Sequence, residues 1–180
     1  MINITTPRLK IRELNSKDLF DFHFYRSNPE VVKYQGFDVM NLAEAGEFIS
    51  MNSKSNLDVS GTWVQFGIEK LETSKLIGDC AIKLERKETV EAEIGLTISH
   101  LEQQKGFGSE ALKEIVQYLF TARCVNKIVE HVDVENVASV NLLKKLGFVL
   151  NEVETKSVLF KGDWVVEAQY VLLGCSGEVE

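Results

Sequence analysis

The hydrophobic periodicity predicts an α/β domain of the α+β kind, on one mixed sheet with antiparallel strands first and a β-α-β-α core after them. Three observations carry this. From Gly61 onward apolar residues recur every second position, first over Thr62 to Glu69 and then over Lys75 to Leu84. At Gly106 the pattern switches from a strand-length apolar segment to a helical one. At the end of the chain two alternating segments flank the turn Lys161-Gly162-Asp163.

In order along the chain, Thr6 to Leu14 alternates at Leu9 and Ile11 as a half-buried strand does. Asn15 or Ser16, with Asp18, is a helix start, and Leu19 to Arg26 reads as the helix. Asn28-Pro29-Glu30 is a second start, with a capping Asn, proline at the first helical position and then an acid. Asn41 to Met51 reads as a further helix. Lys70 to Ser74 is short enough to join the next two strands as an antiparallel hairpin. Ala92 to Ile98 is the central strand, followed by polar residues and by a helix running to Phe120. In that helix Ala111, Leu112, Ile115, Val116, Leu119 and Phe120 share one face. Lys127 to Val134 is the next strand, and Val137 to Leu146 is a helix stopped by Gly147. Phe148 to Lys156 and Trp164 to Leu173 close the chain as a strand pair, the C-terminal hairpin.

A chain of 180 residues is expected to form one domain over 1–180 with a substantial core. Its 44% hydrophobic and 26% charged content is ordinary for a globular protein. No apolar run reaches the ~18 residues of a membrane span, and the N-terminus lacks a signal peptide's apolar core, so no membrane partner is expected. Cys80, Cys124 and Cys175 have no paired spacing, which indicates neither disulfides nor a zinc site; no metal is expected, and a reducing cytoplasm is the natural setting. A net charge of −7 argues against nucleic acid, which needs a basic patch. It is compatible with a cationic substrate, although plain solubility is the simpler explanation.

The stretch from Gln103 to Ser109 carries the chemistry. A helix start leaves four backbone N–H groups unpaired at the positive end of the macrodipole. Glycines at 106 and 108 remove side chains that would hold an anion away, so a phosphate site is expected. Gly106-x-Gly108-x-x-Ala111 also fits the dinucleotide fingerprint. In that motif the strand runs almost directly into the first glycine, whereas Ser99 to Lys105 intervenes here.

Gln103-x-x-Gly106-x-Gly108 resembles the pyrophosphate-binding signature of the GCN5-related N-acetyltransferase (GNAT) superfamily. Asn136-Val137-Ala138-Ser139 through Lys145-Leu146-Gly147-Phe148 is similar to that family's second block, a strand and a helix further on. TPRLKIREL, SNPEVVKY and FKGDWVVEAQYVLL resemble the branch of ribosomal-protein N-terminal acetyltransferases (RimJ/RimL-type), which also holds spermidine, amino-sugar and antibiotic acetyltransferases. The resemblance implies a GNAT-type acyl-CoA N-acyltransferase fold and acetyl-CoA as cosubstrate. Gln103, Gln104, Lys105, Gly106, Phe107, Gly108 and Ser109 would then hold the pyrophosphate. Leu96, Thr97 and Ile98 would bond the pantetheine arm through their main chain, as an added strand does. Asn136 would bond the pantetheine, and Lys145 would approach the phosphates or stand as a solvated helix-end charge. A homodimer is the family-level expectation.

The implied reaction moves an acetyl group from a thioester to a primary amine, either a protein N-terminal α-amine or a small polyamine or amino sugar. A general base for the amine and a general acid for the thiolate each gain ~10²–10⁴-fold. Glu93 is the base candidate, the alternative being a structural carboxylate. Many relatives carry Tyr at the position of Leu143, so the acid role passes to Ser139, with Asn141 behind it. His131 reads as structural, and His23 and His100 as surface groups. Tyr25, Tyr34 and Trp164 are candidates to wall the acceptor site. Two other classes stay open: a non-catalytic acyl-CoA sensor on the same fold, and a nicotinamide-cofactor enzyme, which the antiparallel first half disfavours.

Overall fold

The computed structural model describes residues 2–174, so Cys175 lies outside the described residues. Among the described residues eight strands form one sheet: β1 (Asn3–Thr5), β2 (Leu9–Glu13), β3 (Trp63–Lys70), β4 (Lys75–Arg86), β5 (Val90–Ile98), β6 (Lys127–Asp133), β7 (Val149–Phe160) and β8 (Asp163–Leu173). Their spatial order is β1-β2-β3-β4-β5-β6-β8-β7. All neighbours are antiparallel except β5 and β6. The mixed sheet agrees with the fold class read from periodicity. The first predicted strand, Thr6 to Leu14, is β2, and an additional strand β1 precedes it; between them Thr6 accepts the N–H groups of Arg8 and Leu9 on its hydroxyl and turns the chain.

Helices cover both faces of the sheet. On one face lie α4 (Phe107–Ala122) and α5 (Val137–Lys145). Ala111, Leu112, Ile115 and Leu119 of α4 pack with Ile82, Leu84, Ala92 and Ile94 of the sheet, the face that the helical period picked out. A parallel pair needs a crossover connection, and α4 is that crossover between β5 and β6. On the other face lie α1 (Leu19–Arg26), α2 (Pro29–Val32) and α3 (Leu42–Asn52). Asn41 caps α3 through a reciprocal box with Glu44.

A buried ion pair ties the second helical layer to the sheet. Arg26 on α1 and Asp79 on β4 are both fully buried, with Nη2 to Oδ1 at 2.5 Å and Nε to Oδ2 at 3.2 Å. Asp79 also accepts from Tyr25 Oη at 2.6 Å and from the Gln65 amide. The Arg26 guanidinium lies 3.7 Å from the Phe37 ring centroid, and Phe22 and Phe48 stand close by. Tyr25, a candidate for the acceptor wall, is therefore a core residue whose hydroxyl is taken by a carboxylate. Next to Asp79, the β4 backbone approaches β5 so closely that a Cβ on Gly78 would stand 2.3 Å from the Thr97 carbonyl oxygen. Only glycine fits there.

Removing one partner of a buried pair leaves an uncompensated charge. Asp79→Ala is expected to lower stability by about 3–5 kcal/mol in urea unfolding. A loss below about 1 kcal/mol would show that Arg26 finds other partners.

Candidate active site

The site begins where two parallel strands stop pairing. β5 and β6 are in register at Glu91–Lys127, Ala92–Ile128 and Glu93–Val129, and no further. From Ile94 to Ile98, β5 pairs only with β4, so its β6-facing edge has no strand partner. Backbone donors and acceptors need partners, and this free edge can take an extended, amide-bearing ligand as an added strand. Leu96, Thr97 and Ile98 lie on it. The Ile98 carbonyl accepts from Gln103 Nε2 at 3.0 Å, which staples the following loop to the strand end.

That loop delivers α4. Gln104 and Gly106 have positive φ (61° and 83°), and Gly106 is the residue before the first turn, where no side chain caps the free N–H groups. Phe107 turns inward and is buried, whereas Gln103, Gln104 and Lys105 stay exposed. A Cβ on Gly108 would meet Leu96, Ile98 and Leu142 at 3.4–3.7 Å, filling the space between β5 and α5. The uncapped helix start and the free strand edge thus adjoin, and they fit a ligand with a phosphate end and an amide-bearing arm.

Arg8 also borders the loop. Its Nε donates to Glu110 Oε2 at 2.6 Å, its Nη1 donates to the Lys105 carbonyl at 3.1 Å, and its guanidinium lies 4.4 Å from the Phe107 ring centroid. Thr6 Oγ1 donates to Glu110 as well. These bonds anchor the first turn of α4 to the start of β2. Arg8 was quoted in the sequence only as part of a resemblance, because its partners lie about a hundred positions away.

Asn136 caps α5, accepting the Ser139 N–H at 3.2 Å through its Oδ1. Ser139 is half-buried one turn before buried Leu143, and Lys145 is exposed in the last turn.

The two faces of the slot differ chemically. Glu93 and His131 share the face away from α4 and α5. His131 Nδ1 is 3.1 Å from Glu93 Oε1, and Lys83 Nζ is 2.5 Å from Glu93 Oε2. The hydrogen bond from His131, reinforced by Lys83, holds the Glu93 carboxyl down at about 2, and the same bond raises His131. A carboxylate so held is a weaker base than a free one, and both of its oxygens are occupied. His131, read as structural, is brought to the same spot, with its Nε2 3.0 Å from Gln169 Nε2. Next on this face, a Cβ on Gly95 would meet open space. No spacing rule links residues 93 and 131; only strand register does.

Beyond the carboxyl end of β6 lies a cleft of about 860 Å³ between α2, the residues after it, and the β7–β8 turn. Tyr34 and Trp164 line it with Glu30, Asp38, Asp133, Glu135 and Asp163, against Lys33 and Lys161. Lys161 is committed to the Val32 and Phe37 carbonyls at 2.9 and 2.7 Å. His100, expected at the surface, is half-buried with its ring 5.2 Å from Phe24.

Comparison with known proteins agrees with this geometry. The acetyltransferase (GNAT) domain family matches residues 8–149. The chain is 33% identical over 149 residues to an uncharacterized N-acetyltransferase, p20, of Bacillus licheniformis, covering 82% of this chain and 83% of that one. Its fold is similar to that of a spermidine N-acetyltransferase from Vibrio cholerae in complex with CoA and spermine: TM-score 0.78, 24% identity, 93% and 96% of the two chains. It is similar too to RimL, a ribosomal-protein alpha-N-acetyltransferase in complex with coenzyme A: TM-score 0.80, 17% identity, 97% and 98%. At those identities the likeness is one of fold. The chain belongs to the GNAT acetyltransferase family and is an acetyl-CoA-dependent N-acetyltransferase.

Proposed function

We propose that the protein acetylates a cationic primary amine, which reaches the β5–β6 slot from the acidic cleft. The observation that carries this reading is the cleft's lining, with five carboxylates against two ammonium groups, of which Lys161 lies 3.4 Å from Asp38. A negative field concentrates a cation and speeds its encounter. It also holds the proton on the amine, so a base is needed where the reaction occurs. Tyr34 and Trp164 add aromatic faces for the cation or its alkyl stem. Both a polyamine and a protein N-terminus fit this description, and the fold neighbours include an enzyme named for each.

In this reading the Gln103–Ser109 loop takes the pyrophosphate on its main-chain N–H groups, with Lys105 and Lys145 adding positive charge. Leu96, Thr97 and Ile98 take the pantetheine amides, and the Asn136 side-chain amide retains an Nδ2 donor for the same arm. The cosubstrate supplies an acyl group already activated as a thioester. His131 accepts the amine proton. Glu93 orients its ring and stabilises the imidazolium, which makes Glu93 a positioning residue. The proton arrives at Nε2, which the Gln169 amide nitrogen faces while Asn151 Nδ2 holds its oxygen at 2.8 Å, so Gln169 must swing off the ring to admit the amine. Ser139, one turn from Leu143, gives a hydroxyl to the departing sulfur as a hydrogen-bond donor. An alcohol is too weak an acid to do more.

Gly108→Asp puts a carboxylate into the space between β5 and α5. It is expected to weaken acetyl-CoA binding more than about tenfold in calorimetry, with the circular dichroism spectrum unchanged. Unaltered affinity in a folded variant would sink the loop assignment.

His131→Gln is expected to lower kcat by about 10²-fold. Glu93→Gln removes the group that raises His131, so the acidic limb of kcat should move to lower pH while activity survives. If Glu93→Gln instead abolished turnover at every pH and His131→Gln did not, the two roles would have to be exchanged.

Acetyl transfer to N-terminal peptides, spermidine and amino sugars, each at low and high salt, tests the acceptor class. KM for the best acceptor should rise with salt. An anionic or alcohol acceptor as the best substrate would overturn the amine reading.

A further inference from the structure

Glu130 is a titratable residue beside the slot that the proposed function leaves unused. It lies on β6 one position past Val129, where pairing with β5 ends. Successive strand residues face opposite ways, so Glu130 points to the α4/α5 side while His131 points to the other. Its register partner on β8, Tyr170, is buried on that side. Its same-face neighbours Ile128 and Val132 pack in one cluster with Ile94, Leu143 and Tyr170. Glu130 is 8% exposed, and its Oε2 is fully buried without a hydrogen-bond partner. A carboxyl placed this way costs stability when ionised and gains nothing from the fold around it.

We propose that Glu130 is the general acid of the transfer, resting protonated on the helix side of the slot and giving its proton to the departing sulfur. This rests on the acetyltransferase reading and adds a residue to it. Glu130 gives up its O–H proton as the carbonyl–sulfur bond breaks and the carbonyl–nitrogen bond forms. The amine sheds its first proton to water and passes its second to His131; after the thiol leaves, His131 gives that proton up to water and water returns one to Glu130. Adjacent positions of a single strand thus supply a base on one face of the slot and an acid on the other.

Burial pushes the Glu130 carboxyl up to about 8. That keeps the proton on at neutral pH and brings the acid close to an ordinary thiol's ~8.5, so transfer to a thiolate is not uphill. The other buried titratable groups on this side, among the described residues, are Cys80 on β4 and Tyr170 on β8, and Tyr118 of α4 packs against the same cluster half-buried. Burial, with Glu130's charge behind it, pushes the Cys80 thiol up. Cys80 lies beyond β5 and Tyr170 beyond β6, whereas Glu130 is on a strand that borders the slot. The residues that α4 and α5 bury are apolar, Leu143 among them.

Two measurements on the ligand-free protein test the protonation. Infrared difference spectra of the protein against Glu130→Gln should show a protonated carboxyl at about pH 6 that is lost by about pH 10. A carboxyl raised in the folded state loses stability as pH climbs from its unfolded value toward the folded one. Glu130→Leu should therefore raise Tm, by more at about pH 8 than at about pH 5. In turnover, Glu130→Gln should lower kcat about 10²-fold and abolish the alkaline fall-off of the wild type, while calorimetry shows acetyl-CoA affinity unchanged. A carboxylate already ionised at about pH 6, or Glu130→Gln turning over at the wild-type rate, overturns the acid role and leaves the acetyltransferase reading intact. A wild-type protein that acetylates no amine overturns both.

Discussion

The separation of β5 from β6 after Glu93 and Val129 is the constraint on which the site depends. A parallel pair requires a crossover, and the crossover here is α4, whose start must follow the carboxyl end of β5. The same event therefore frees a strand edge and sets an uncapped helix N-terminus beside it. Both are rows of unpaired backbone groups, whose hydrogen-bonding capacity does not lapse when the partner strand departs. A cosubstrate with amides at one end and phosphates at the other would satisfy both rows.

Several contacts hold the strands in that arrangement. Gly78 lets β4 approach the Thr97 carbonyl, and the Ser99 N–H then bonds the Ile77 carbonyl at 2.8 Å, so the end of β5 is fastened on its β4 side. Gln103 caps the Ile98 carbonyl, and Arg8 with Thr6 grips Glu110 in the first turn of α4. On the opposite face, the buried Arg26–Asp79 pair fixes α1 against β4. Such a pair adds little net stability over an apolar equivalent, but it permits one placement of the helix and penalises others.

Strand alternation also sorts the charges at the slot. Glu93 is held ionised by His131 and Lys83, whereas Glu130, one residue from His131 in sequence, is surrounded by apolar packing with no cation to offset it. Opposite environments push two carboxyls in opposite directions across a single sheet. The acidic cleft lies beyond the carboxyl end of β6, the strand that carries His131.

Local pattern determined much of this protein by itself. The alternation of β3 and β4, the apolar face of α4, the Asn28 cap and the glycine loop depend on neighbours within a few positions, and those signals survive in a linear reading. The family was legible for the same reason, since both of its blocks are contiguous. Tertiary structure decided the rest. Tyr25 has an amphipathic side chain that suits a substrate wall or a core, and only the placement of Asp79, 54 residues away, put it in the core. Glu93 carries the same charge in either reading, and only the register that brings it to His131 and Lys83 made it a held carboxylate. Glu130 looked like one more acid in an acidic chain. Its significance comes from burial and from the loss of a strand partner, which depend on non-local pairing that no window of sequence contains.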